Sequence, residues 1–197
     1  MIVLPGGVSP SLATPRVIDY GVWVRGVSGG GFSRTDRPGN RHAVRVDLPP
    51  VRSDLAGAAL ASDLRAALTE GLEIRWPQGA FASAPVGSAV VDGSDVQGTT
   101  LSLRGAVPNT VIRKGAFFSV EHGGKVYLHE CRSETLASSE GRATIQIRPE
   151  LRVILSDGDA LEFDQPRFQG VIDAQEWEWT MRLDRFMDMS FDLVEMA

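Results

Sequence analysis

Three histidines and a single cysteine are the side chains of this chain best suited to metal or nucleophilic chemistry. His129, Glu130 and Cys131 are consecutive. On a strand, neighbouring side chains point to opposite faces, so only His129 and Cys131 share one. Two ligands are too few for zinc, which takes four protein ligands, or three and a water. The same two residues could form a nucleophile–base pair. That chemistry also needs a group to orient the base and donors for an oxyanion, and the flanking sequence supplies neither. A strand cysteine packed in a core is the reading that remains. His122 sits in the turn His122-Gly123-Gly124. Glu176 and Glu178 on one strand face would stand roughly 7 Å apart, a spacing that admits an inverting glycosidase pair without singling it out. Trp177 and Trp179 would then point to the opposite face, where they cannot cradle a sugar, and they read as core. The glycines of residues 28–33 would cradle a phosphate only between a strand and a helix. They run instead into a second turn segment, 34–40. The sequence therefore predicts no catalytic, cofactor-binding or metal-binding residue, and a role that is not enzymatic.

The chain has 197 residues, 43% hydrophobic and 23% charged, an ordinary globular composition with enough length to bury a core. A net charge of −5 argues against a nucleic-acid-binding surface, which is usually basic. One cysteine excludes an internal disulfide framework and fits synthesis in a reducing compartment. The opening MIVLPGGVSP has no basic region and is broken by Pro and Gly, so no secretory leader is expected. No stretch approaches the roughly 18 apolar residues of a membrane span. The charge is uneven: residues 157–197 hold eleven acidic and three basic side chains, which leaves the first 156 residues at about +3. Such a segment reads as a solvated strand face, or as an acidic surface past which a polyanion must slide without sticking.

The elements that would position these residues are mostly strands. Residues 1–15, rich in Pro and Gly, read as an extended arm. Residues 16–25 read as a strand. Residues 42–48 alternate, with Val44, Val46 and Leu48 on one side, and end at Pro49-Pro50. Ser53 or Asp54 offers an N-cap for a helix to about Thr69, with Leu60, Leu64, Ala67 and Leu68 on one apolar stripe and Gly71 as its stop. A strand at 72–76 closes at Pro77. Residues 85–153 read as a β-module: a strand at 99–104, then Phe117–Val120, Val126–Glu130 and residues 143–147, stitched together by Gly and Ser turns. At the end of the chain two alternating runs, 177–183 and 187–193, predict an antiparallel hairpin with one wet face. In the first run Trp177, Trp179, Met181 and Leu183 share the apolar side. These terminal strands are expected to return to the first part of the chain, leaving the middle module as an insertion.

The order of these signals resembles the distal tail proteins of long-tailed, siphovirus-type bacteriophages. The shared features are an early strand (17–25), Pro38-Gly39, a strand ending in Pro-Pro (44–50), one helix (54–69) and a strand ending in Pro (74–77). They continue with Lys114-Gly115, the strand 117–120, Gly123-Gly124, the strand 126–128 with Tyr127, the turn 138–141, the strand 144–147 and Pro149-Glu150-Leu151-Arg152, and they close on the strand pair 177–183 and 187–193. The resemblance spans nearly the whole chain, and the order and spacing of the motifs carry it. It implies a mainly β (α+β) fold: a β-sandwich or split-barrel ring-forming domain with one helix, built from 16–84 and 154–197, plus an inserted small β-module at 85–153. It also implies a structural virion component at the tail tip, without cofactor. Such proteins form a homo-oligomeric ring, usually a hexamer, that joins the tail-tube protein to the hub and other baseplate proteins, with DNA only passing through the lumen. On this reading the helix and terminal strands build the ring, the inserted module decorates its outside, and the acidic segment lines part of the lumen. A tail-tube or tail-terminator ring subunit would share much of this pattern. A carbohydrate-binding module on the tail, stacking a host-surface glycan on Tyr127, Phe117 or Phe118, is the reading from a different class.

Overall fold

A computed structural model describes residues 1–5, 8–26, 30–35, 39–78, 85–173 and 176–196. In chain order the elements are β1 (Ile2–Val3), β2 (Leu12–Ile18), β3 (Val22–Arg25), β4 (Phe32–Thr35), β5 (Arg41–Asp47), β6 (Val51–Arg52), α1 (Leu55–Glu70), β7 (Leu72–Arg75), β8 (Val90–Val91), β9 (Val96–Arg104), β10 (Val111–Ile112), β11 (Phe117–His122), β12 (Lys125–Cys131), β13 (Thr135–Leu136), β14 (Ala143–Leu155), β15 (Ala160–Glu162), β16 (Arg167–Ile172), β17 (Trp179–Met181) and β18 (Phe186–Glu195). The fold is mainly β, with one helix among the described residues.

Two bodies of β-structure share one chain. The first is a sheet in the order β1-β7-β16-β18-β5-β2, with β6 and β17 also pairing β18. The second is a closed barrel in the order β11-β12-β14-β9-β8-β15. The barrel is inserted between β7 and β16, which are antiparallel neighbours in the sheet. The chain leaves the sheet after Arg75 and re-enters at Arg167, its direct partner in register. Trp76 N–H donates to the Pro166 carbonyl at 2.7 Å, so entry and exit are clamped together. An insertion whose ends meet this closely leaves the host sheet's register undisturbed.

Helix α1 follows its local signals. The Asp54 carboxylate accepts from Ala56 N–H and Gly57 N–H, and Gly71, at φ 78°, ends the helix with its N–H on the Ala67 carbonyl. Leu60, Leu64 and Ala67 are buried against Val44, Val46, Phe191 and Leu193 of the sheet. Gly57 lies inside the helix, where glycine is unfavourable. A Cβ there would stand 2.1 Å from the Arg52 carbonyl oxygen, so the glycine lets α1 lie against β6. The barrel has its own core: Leu101, Leu103, Phe118, Val120, Ile145, Ile147, Leu155 and Leu161 point inward. In β14 the alternation is plain, with Ile145 and Ile147 buried and Thr144 and Gln146 exposed.

Four expectations are corrected. The arm 1–15 is part of the sheet: Ile2 and Val3 pair in parallel with Leu72 and Glu73, and Leu12 to Pro15 begin β2. Pro15 is tolerated because β2 is an edge strand, where a missing N–H leaves no ladder bond unmade. The strand 16–25 is broken at Tyr20-Gly21, where Asp19 accepts from Gly21 N–H and Asn40 accepts from Tyr20 N–H. The boundary at 153 falls inside the barrel, because Ala160–Glu162 closes it between β8 and β11. In the C-terminal hairpin Met187, Met189, Phe191 and Leu193 are buried, whereas Met181 and Leu183 are 67% and 106% exposed. β17 pairs only with β18, and α1 does not reach over it beyond Trp179.

Candidate interaction surfaces

The residues with potential chemistry are dispersed or sealed. Cys131 is buried in the barrel core, and desolvation pushes its thiol up to about 12, far from a thiolate. His129 is buried, its Nδ1 is 3.0 Å from the Pro149 carbonyl oxygen, and burial pushes it down to about 3. His122 pairs with Asp159 at 2.8 Å on the barrel surface. No group of three His, Cys, Asp or Glu side chains among the described residues could hold a metal ion. Glu176 and Glu178 are exposed and precede β17 rather than sharing a strand face. Trp177 and Trp179 stack at 5.3 Å, Trp177 Nε1 donates to the Ser190 carbonyl, and both pack at the margin of the sheet core. The glycines of 28–33 lie partly outside the described residues; Phe32 and Ser33 begin β4.

The glycan platform is corrected outright. Phe118 and Tyr127 are 0% and 5% exposed, and Phe117 packs between the barrel and the sheet beside Trp76 and His42. Phe118 fills the barrel interior, which needs large side chains, Phe117 packs against the sheet core, and Tyr127 is covered beside Arg152.

Where barrel meets sheet, the structure holds a polar junction. Glu195 is buried at the end of β18, on the register of Met187, Met189, Phe191 and Leu193. It accepts from Leu128 N–H at 2.9 Å and His42 N–H at 3.1 Å, and it meets Arg152 Nη2 at 2.5 Å. Burial pushes its carboxyl up, against the pull of Arg152 and of the two backbone donors. The Arg152 guanidinium lies 5.6 Å from the Tyr127 ring centroid, and its contact with Glu195 lacks hydrogen-bond alignment. His42, in ring contact with Trp76 and Phe117, is held down to about 4 by burial, and its Nε2 has no hydrogen-bond partner. One carboxylate from the sheet thus ties together β5, β12 and β14. The register of the terminal strand carried the signal for it: an acid continuing an apolar period-two run needs a buried partner.

Beside this junction a cleft of about 510 Å³ opens between Val17, Asp19 and Arg34 on one side and Glu130, Arg148 and Pro149 on the other. Four of its charges are engaged with one another. Arg148 grips Glu130 at 2.9 and 2.7 Å, and Arg34 donates to both oxygens of Asp19 at 2.8 Å. The Gly21 N–H and Arg34 hold Asp19 below its ordinary value. The cleft offers His42 as its nearest base, and a base held near 4 abstracts protons poorly at neutral pH.

The surface left over is the β3–β4 ribbon. It forms a two-stranded sheet of its own, and all eight of its residues are exposed. Trp23 pairs with Arg34 and Arg25 with Phe32, so these four share one face. Each arginine lies over its aromatic partner, at 5.7 and 5.9 Å from the ring centroids. Val22 and Val24 occupy the other face. At the C-terminal hairpin a second exposed group forms: Met181, Leu183 and, at 91% exposure, Leu55. Ser53 N–H donates to the Arg185 carbonyl, which brings the start of α1 to the hairpin turn.

Folding pairs part of the charge asymmetry between the two parts of the chain. Arg16, Arg104 and Arg152 bind Asp192, Asp157 and Glu195 across it. Arg104, with a Gly93 N–H, holds Asp157 down to about 2. Among the described residues no helix is long and apolar enough to cross a membrane. No protein-family model matches this chain, and no curated protein matches it.

Proposed function

We propose that this chain is a structural subunit of a bacteriophage tail tip, a distal tail ring that joins the tail tube to the hub and receptor-binding apparatus. The observation that carries the reading is the β3–β4 ribbon, with Trp23 and Phe32 62% and 68% exposed and no core on either face. An isolated two-stranded ribbon is marginal in water, and clustered exposed aromatics mark an interaction site. A subunit that is completed only on assembly is what a ring requires. The order of the sequence motifs, from the segment ending in Pro49-Pro50 through the helix to the runs at 177–193, supports the tail assignment. Its partners on this reading are further copies of itself, the tail-tube protein, the hub and other baseplate proteins, in the virion, with DNA passing through the lumen. The chain catalyses no reaction on this reading, and needs no cofactor for it. A tail-tube or tail-terminator subunit is the second reading, because the same ribbon would serve any ring.

The test is the mass of the purified chain by light scattering, with negative-stain images of the same peak, alone and with the tail-tube protein. Closed rings with a central hole are expected. A monomer under both conditions would refute the ring. Rings that stack end to end into a tube without partners would move the assignment to the tube subunit.

A further inference from the structure

The junction between barrel and sheet holds most of the polar atoms that the fold buries without a match. Six buried side-chain nitrogen and oxygen atoms among the described residues have no hydrogen-bond partner, and five of them are here: Nε, Nη1 and Nη2 of Arg152, Nε2 of His42 and Nε1 of Trp76. An unmatched buried polar atom carries a desolvation cost, which is recovered when the interface opens to water. Against that stands a small apolar contact. The two cores are separate clusters, and among the described residues only Phe117 and Leu128 of the barrel enter that of the sheet. The chain connections lie side by side at Trp76 and Pro166. Next to them Arg167 reaches the barrel, its N–H on the Ser119 hydroxyl and its guanidinium on Glu121. Three residues further along β16, about 10 Å away, Gly170 pairs with Glu195. At that level the barrel is held by Glu195, on Leu128 N–H and Arg152, and by Gln169, on Val126 N–H.

We infer that this junction is a latch: the barrel swings off the sheet as one body about its paired connections at Trp76 and Pro166, and Glu195 is the catch that holds it closed. Such hinges use a few element-terminal residues, which is where both connections lie. Opening releases Leu128 and Val126 from the sheet and brings water to Arg152, His42 and Trp76, while each core stays intact. The Glu195–Arg152 pair holds only while both members are present. Loss of one strands a buried charge, whereas replacing both with uncharged groups of similar size removes the demand for water. The latch concerns motion within one chain and does not use the ring reading above.

β12 carries its own control. The N–H groups of Val126 and Leu128 turn to Gln169 and Glu195 of the sheet, so alternation gives those of Tyr127 and His129 to β11, opposite Val120 and Phe118. The test is hydrogen exchange of the full chain at neutral pH, resolved to single amides and corrected for intrinsic rates. Val126 and Leu128 should exchange together, at least about tenfold faster than Tyr127, His129 and Val44 of the sheet. Glu195→Gln should speed both several-fold, Val126 included, although its own acceptor is Gln169. Arg152→Met combined with Glu195→Gln should slow both below the parent chain. Exchange of all these amides at one rate means that the junction opens only when the whole molecule unfolds, and overturns the inference. A Glu195→Gln chain in which Leu128 alone is faster has lost a bond without moving a body, and overturns it as well. A double variant as fast as the single one removes the unmatched arginine as the cause of opening and refutes the latch.

Discussion

The barrel and the β3–β4 ribbon are both antiparallel β-structure, and they meet the problem of covering a sheet in opposite ways. The barrel closes six strands on themselves, fills the interior with Phe118, Leu103, Ile145 and their neighbours, and then anchors its flank to the sheet through Glu195 and Arg152. The ribbon has two strands, no interior and arginines laid over its aromatics. Closure lets a β-structure bury its own side chains, whereas a ribbon of two strands leaves every residue to be covered by something else. Buried contacts are therefore concentrated at the barrel and its junction, and uncovered aromatic surface at the ribbon.

Substitutions can break this contrast in a graded way. The largest effect is expected from Glu195→Ala, which strands Arg152 and two backbone N–H donors inside the molecule. It should cost about 3–5 kcal/mol, read as a fall in the urea midpoint, and a loss under about 1 kcal/mol would mean that the junction is not a structural tie. Phe118→Ala should lose a similar amount, about 3–5 kcal/mol, by opening a cavity in the barrel. A midpoint within error of the parent would show that the barrel core is not packed as described.

The pH dependence comes next. His42 and His129 are neutral in the fold, with values pushed down to about 4 and about 3 by burial, and they take up protons on unfolding below about 6.5. Because the folded values are depressed, their contribution is complete above about pH 6.5 and is lost as pH falls toward the folded values. Glu195, pushed up, acts in the opposite sense, losing its contribution as pH rises through its folded value. Comparing urea midpoints at pH 7 and pH 5 should show a drop that shrinks in His42→Phe, and an equal drop in both would remove His42 from the account.

Gly57→Ala gives the next smaller effect and tests a sign. In an exposed helix the change would gain about 1 kcal/mol. Here a Cβ 2.1 Å from the Arg52 carbonyl should make it destabilising, by about 1–3 kcal/mol, and a higher melting temperature would contradict the close approach of α1 to β6. Trp23→Ala should be the mildest for the isolated chain, under about 0.5 kcal/mol at so exposed a position, while abolishing association in light scattering. A large stability loss in the monomer would erase the contrast between the two regions.

The parts of the fold that were legible are those whose signals are local. Asp54 as N-cap, the stripe of Leu60, Leu64 and Ala67, and Gly71 as stop all lie within one helix length. The strands at 117–120, 126–130 and 143–147 declared themselves through their β-type residues and the Gly and Ser turns between them. What was not legible needs partners far along the chain. β8 and β15 are two and three residues long, too short for a period, and they become strands only because the barrel must close. Pro15 looked like a breaker until the edge of the sheet made its missing N–H harmless. Tyr127 and Phe118 look the same in sequence whether a ring faces solvent or a core; the closure of the barrel put Phe118 inside, and Tyr127 is buried beside Arg152.

For the surfaces, residue types and their order along the chain were set by the sequence alone: aromatics beside arginines at 23–34, and carboxylates beside Met and Leu at 176–188. The placing of Glu195 against Arg152 came only with the tertiary structure. Local propensity acts over a few residues, while burial and charge pairing depend on which distant strands the sheet brings together.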